Sequence, residues 1–149
     1  MSACLWAVDR GLPEEVTARA ELSGSGVDLS TSAVLSWPGG VDAEVRASIA
    51  SDEGQWLVVT AEGGEVELRE QPYTAWKDDD TELWVSDGTA TERVPVPATD
   101  AYRLMVEEVS SVVAGGPGWL LPLAESRDTA AVLDAARASA AAGGDPVRP

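Results

Sequence analysis

Six tryptophans and two tyrosines, with no phenylalanine, make up the aromatic set of this 149-residue chain. Several sit where they could share a surface with a polar or flexible partner. Trp6 lies four residues before Arg10, Tyr73 three before Trp76, and Tyr102 three before Met105 and next to Arg103. The first pair comes from the first helix, the second from the long loop, and Tyr102 and Met105 from the T-D-A-Y helix. An apolar cavity lined by such rings can hold a long, reactive substrate in one folded shape. Orientation alone contributes roughly 7–11 kcal/mol to a barrier in favourable cases. A phenol or guanidinium placed there polarises a carbonyl as charge builds on its oxygen. The candidate polarising residues are Tyr73, Arg10 and Tyr102, and the candidate substrate-binding residues are Trp6, Trp76, Met105 and Trp84. Trp37 and Trp56 are expected to be structural.

Acid–base chemistry has little to draw on. The chain contains no histidine, so Ser-His-Asp and Cys-His arrangements are impossible and metal sites lose their commonest nitrogen ligand. Asp78-Asp79-Asp80 lacks the spacing of a calcium loop and reads as a solvated acidic loop. Glu14-Glu15 and Glu107-Glu108 are adjacent pairs, whose side chains diverge on a strand or a helix. Cys4 has no base to activate it and reads as a small buried residue. No metal and no cofactor is expected.

The acidic excess, 26 Asp+Glu against 10 Lys+Arg for a formal charge of −16, repels phosphate backbones and anionic lipid surfaces. Partners of those two kinds are therefore not expected. No run of 18 apolar residues is present to span a bilayer. Asp9 and Arg10 come too early for a signal-peptide core. A single cysteine fits a reducing cytoplasm. The weight of Ala, Gly, Val, Asp, Glu and Arg, with Lys77 the only lysine, fits a GC-rich bacterial genome.

The elements that must position these residues are one short helix, a run of strands and two further helices. Ser2–Asp9 reads as a helix with Leu5 and Val8 inward. Val16–Leu22 and Thr31–Trp37 alternate with period two, and so does Val41–Ile49 after a Pro38-Gly39-Gly40 turn. Trp56–Ala61 is apolar on both faces, which predicts a central strand. Glu65–Arg69 follows Gly63-Gly64, and Glu82–Ser86 pairs with Glu92–Val96 across Asp87-Gly88. Gln71–Asp80 reads as a loop. Helix Asp100–Ala114, capped by Thr99 or Asp100, has a stripe through Tyr102, Met105 or Val106, Val109 and Val113. A last helix over about Glu125–Ala142 is expected to bury Leu133. The whole reads as one α+β domain over residues 1–143, with a flexible tail over 144–149.

Four segments, in order, resemble the C-terminal domain of Gfo/Idh/MocA-type oxidoreductases. They are Pro13–Asp28, Ser32–Ile49 with its W-P-G-G turn, Leu57–Leu68 with its glycine hairpin, and Arg93–Ala142 with T-D-A-Y and G-G-P. The resemblance implies a large, mostly antiparallel sheet with helices on one face and a partner subunit on the other. It also implies what is missing. The Gly-rich dinucleotide loop and the Glu-Lys-Pro lysine of the family have no counterpart here. The first helix shows Ala3-Cys4-Leu5 where some relatives have G-C-Y.

Two readings follow. The favoured one is a cofactor-independent cyclase, closing a polyketide or polyene in natural-product biosynthesis. Met1 at the first helix, with the family's catalytic residues replaced, suggests a natural short gene. The alternative is a non-catalytic substrate-binding or oligomerisation domain or subunit of an NAD(P)-dependent oxidoreductase. Either way a homodimer through the sheet face is expected, and the first reading adds an apolar small-molecule substrate.

Overall fold

The computed structural model describes residues 1–69 and 78–149. The elements run α1 (Ser2–Val8), β1 (Glu15–Leu22), β2 (Asp28–Trp37), β3 (Val41–Ser48), β4 (Leu57–Ala61), β5 (Gly64–Leu68), β6 (Thr81–Ser86), β7 (Thr91–Val96), α2 (Ala101–Val113) and α3 (Leu123–Ala141). The class is α+β, as the periodicities predict, and the strands pair antiparallel throughout. They hydrogen-bond as two sheets, ordered β1-β2-β3 and β4-β5-β6-β7. One compact unit comprises Met1–Asp52 and Leu121–Pro149, the other Glu53–Leu120. Among the described residues, no helix is long and apolar enough to cross a membrane.

The first unit has a true interior. Register places Val16 opposite Leu35, Ala18 opposite Ala33, and Trp37 opposite Val41, so alternate residues of β1 and β2 converge on one face. That face buries Val16, Ala18, Ala33, Leu35 and Trp37 against Val132, Ala135 and Ala136 of α3. Alanines at the contact let the helix backbone come close to the sheet. Leu5 and Val8 of α1 pack at the margin, as expected, together with Cys4, which is half-buried. Trp37 is structural, and its ring nitrogen donates to the Gly11 carbonyl at 3.0 Å.

The outer edge of β1 is closed in two ways. The fully buried Ser139 accepts a hydrogen bond from the Ala18 N–H at 2.8 Å through its hydroxyl oxygen. Val147 exchanges two backbone hydrogen bonds with Val16, at 2.8 and 3.0 Å. Residues 144–149, expected to be a loose tail, thus add an isolated bridge to the sheet. Leu133, expected inside, is exposed, and the buried stripe runs through Val132 instead. Ser139→Ala would leave the buried Ala18 N–H without an acceptor. The expected loss is about 1–3 kcal/mol of unfolding free energy, measurable by denaturant titration.

The second unit is built differently. Here β4 is an edge strand, not the central one its continuous apolar run predicted, and Trp56 beside it is 61% exposed. An uninterrupted apolar run matches a doubly covered strand and an uncovered edge strand equally well. The β4–β5 turn depends on Gly64, whose φ is +140° and whose missing side chain leaves room for the Ser86 carbonyl of β6. The β6–β7 turn is closed by Asp87. Its carboxylate accepts from the Thr89 hydroxyl at 2.7 Å and from the Thr89 and Ala90 N–H groups at 2.8 Å each. These bonds, the Thr89 hydroxyl foremost, favour the ionised form and hold the carboxyl at a pKa of about 2. Asp100 caps α2 by accepting from the Arg103 N–H at 3.0 Å, as the T-D-A-Y sequence predicts.

Candidate functional site

Trp6 and Arg10 lie in the first unit. Asp9 adopts a left-handed conformation, with φ 49°, and ends α1. The chain then turns so that the Arg10 guanidinium donates to the Pro38 carbonyl at 3.1 Å. Arg10 therefore straps the end of α1 to the β2–β3 turn. Trp6 projects into solvent and is 80% exposed.

Trp84, Tyr102 and Met105 lie in the second unit. Tyr102 and Met105 are on α2 and are 79% and 55% exposed. Trp84 is on β6, facing opposite to Leu83 and Val85, with Glu67 of β5 and Arg93 of β7 as its cross-strand neighbours. Two guanidinium groups lie over its ring, Arg69 at 4.3 Å and Arg93 at 4.7 Å from the centroid. Each is also paired with a carboxylate, Arg69 with Glu67 at 2.8 Å and Arg93 with Glu82. Cation–π contacts of this kind contribute roughly 0.5–1 kcal/mol at exposed sites. Alternating charge along Glu65, Glu67 and Arg69, with Arg93 across the hairpin, was the sequence signal for this cluster. Tyr73 and Trp76 fall outside the described residues.

Surface grooves on both sheets are formed by described residues. One, of about 190 Å³, lies on the sheet of the first unit between Thr17, Arg19, Ser32, Val34 and Glu44, beside Gly144. The other, of about 130 Å³, lies on the second sheet along Glu65, Glu67, Arg69, Trp84, Ser86 and Thr91. Ligand cavities for drug-sized molecules run from about 300 to 1,000 Å³ and are mostly apolar. Both grooves are smaller, and charged residues line each of them.

A nicotinamide cofactor needs a glycine-rich turn at a helix N-terminus to receive its diphosphate. The three helices are entered through Met1, Asp100 and Pro122 instead. Asp100 adds a negative charge where an anion would have to sit. The described residues therefore do not fit that group. Nor do any three of their Cys, Asp or Glu side chains cluster as a metal site.

The backbone path is shared with solved oxidoreductases. A Klebsiella pneumoniae protein assigned to the oxidoreductases superposes with a TM-score of 0.73 at 21% identity, over 99% of this chain and 45% of its own. This chain has the C-terminal-domain fold of the Gfo/Idh/MocA-type oxidoreductases. KijD10, a 3-ketoreductase from Actinomadura kijaniata solved with TDP-benzene and NADP, has the same domain, with a TM-score of 0.76 at 15% identity over 93% of this chain and 45% of that one. The UDP-N-acetylglucosamine 3-dehydrogenase GnnA of Acidithiobacillus ferrooxidans gives 0.71 at 18% identity over 89% and 41%. This chain thus spans less than half the length of each of these three proteins. No family model and no curated protein matches its sequence.

Proposed function

We propose that this chain is the substrate-side and assembly half of an NAD(P)-dependent oxidoreductase, completed by a dinucleotide-binding domain that these 149 residues do not contain. The observation that carries the reading is its extent. It aligns with 41–45% of oxidoreductase chains such as KijD10, a 3-ketoreductase, and GnnA, a UDP-N-acetylglucosamine 3-dehydrogenase. The reaction class is hydride exchange between a nicotinamide and a carbonyl or secondary alcohol. This chain offers no histidine, and its sequence has no Glu-Lys-Pro lysine and no glycine-rich dinucleotide loop. The proton donor and the cofactor site therefore belong to the other domain. The chain's own contribution is to shape the substrate side and to join two copies through a sheet face, in the cytoplasm.

Cofactor-free cyclisation has less support. It needs an enclosed aromatic cavity, and the two grooves described above are small, with Trp84 the only aromatic residue lining either of them. Trp6 and Tyr102 are solvent-facing, and the Trp84 ring is already engaged by two arginines.

The test has two parts. Calorimetric titration of the chain with NADPH should give no binding heat at micromolar concentrations. The coding sequence should continue into, or lie beside, one encoding a strand, a glycine-rich turn and a helix. Micromolar NADPH binding, or polyketide synthase genes with no dinucleotide-binding sequence nearby, would sink the proposal.

A further inference from the structure

We propose that the described residues of 53–120 form a separately unfolding unit, less stable than the unit that holds β1, β2 and α3. The two units differ in one physical respect that decides this. The first buries Val16, Leu35, Trp37 and Val132 among others, and ties down its edge strand with Ser139 and Val147. Among the described residues of the second, no side chain is buried.

The second sheet nonetheless has an apolar face. Register aligns Leu57, Leu68, Leu83 and Val94 in one row across its four strands, and Val59, Val66 and Val85 in the next. Val59, Val85 and Val94 remain exposed. Removal of apolar surface from water supplies most of the driving force for folding, at about 25 cal/mol per Å². Leu57, Val66, Leu68 and Leu83 are half-buried, so this sheet has made only part of that gain.

The remaining contacts do not replace it. Among the described residues of this unit, the ion pairs Arg69–Glu67, Arg93–Glu82 and Arg103–Glu107 each have at least one solvent-exposed partner, and surface pairs contribute about 0–1 kcal/mol each. Helix α2 has 13 residues and buries none of them, and helices shorter than about 12–15 residues are marginal in water by themselves. Free energies of local opening range from near zero up to the global value within one protein. The second unit belongs at the low end of that range and the first at the high end.

What covers the apolar face rests on the function proposed above; the difference in stability does not. Hydrogen–deuterium exchange on the full chain tests it. Amides of β4–β7 and α2 are expected to exchange at least about 100-fold faster than those of β1, β2 and α3. Gly64→Ala should abolish the protection left in β4–β6 and leave β1, β2 and α3 unchanged. Equal protection in the two units, or a loss of protection in both with Gly64→Ala, would show one cooperative fold and overturn the proposal. Failure of the oxidoreductase reading would appear in the coding sequence and in NADPH binding, leaving the exchange pattern as it is.

Discussion

Trp37→Ala is expected to cost the first unit about 3–5 kcal/mol of unfolding free energy. Trp37 is 4% exposed at the end of β2, where Gly11 and Val41 close around it. Truncation leaves a cavity beneath α1 and the β2–β3 turn. It also removes the donor for the Gly11 carbonyl, which sits just after the chain leaves α1. Trp37→Phe separates the two contributions. It keeps most of the ring volume and loses the hydrogen bond, for a smaller expected loss near 1 kcal/mol. Urea unfolding followed by far-UV circular dichroism checks both. A Trp37→Ala protein as stable as the parent would mean that the ring is not part of the core.

Gly64→Ala is expected to disorder the hairpin of the second unit. A side chain at a φ of +140° is strained whatever surrounds it, and here its first carbon would overlap the Ser86 carbonyl oxygen. The obstacle is backbone, so it cannot swing aside as a flexible side chain would. Strain of this kind costs about 1–3 kcal/mol before the clash is counted. With no buried side chain among its described residues, this unit has little with which to offset it. Gly63→Ala is the matched control, since open space surrounds that position and its φ is not positive. It should change stability by less than about 0.5 kcal/mol. Amide exchange of Glu65–Leu68 distinguishes the two variants directly.

Much of the fold was readable because one-sided burial leaves a period in the sequence. Val16–Leu22, Thr31–Trp37 and Val41–Ile49 alternate because one face of their sheet packs on α3 and the other meets water. The Pro38-Gly39-Gly40 turn is equally plain, since its left-handed conformations require glycine. Helix α3 shows where such reading weakens. It is so rich in alanine that its buried stripe carries little contrast, and Leu133 looked inward when Val132 is the buried residue. Val147 gave no local signal, because its partner Val16 lies at the other end of the chain. The candidate site was less legible still. Aromatic residue types suggested a cavity, but a ring can be covered by arginines, as Trp84 is, or face solvent, as Trp6 and Tyr102 do. Side-chain identity alone does not distinguish these outcomes.

The uneven burial of the indoles has an optical consequence. Indole emission moves to longer wavelength when water dipoles can relax around the excited ring. Trp6, Trp56 and Trp119 are largely exposed in the folded chain, whereas Trp37 is enclosed with its ring nitrogen bonded to a carbonyl. Unfolding therefore changes the surroundings of Trp37 far more than those of the other three. In a melt followed by the red shift of intrinsic fluorescence, Trp37 would report the opening of the first unit, while Trp56 and Trp119 would say little about the second. A single sharp fluorescence transition would not demonstrate two-state unfolding of this chain. Such a curve needs a second probe placed on β6 or β7 before a midpoint can be assigned to the protein as a whole.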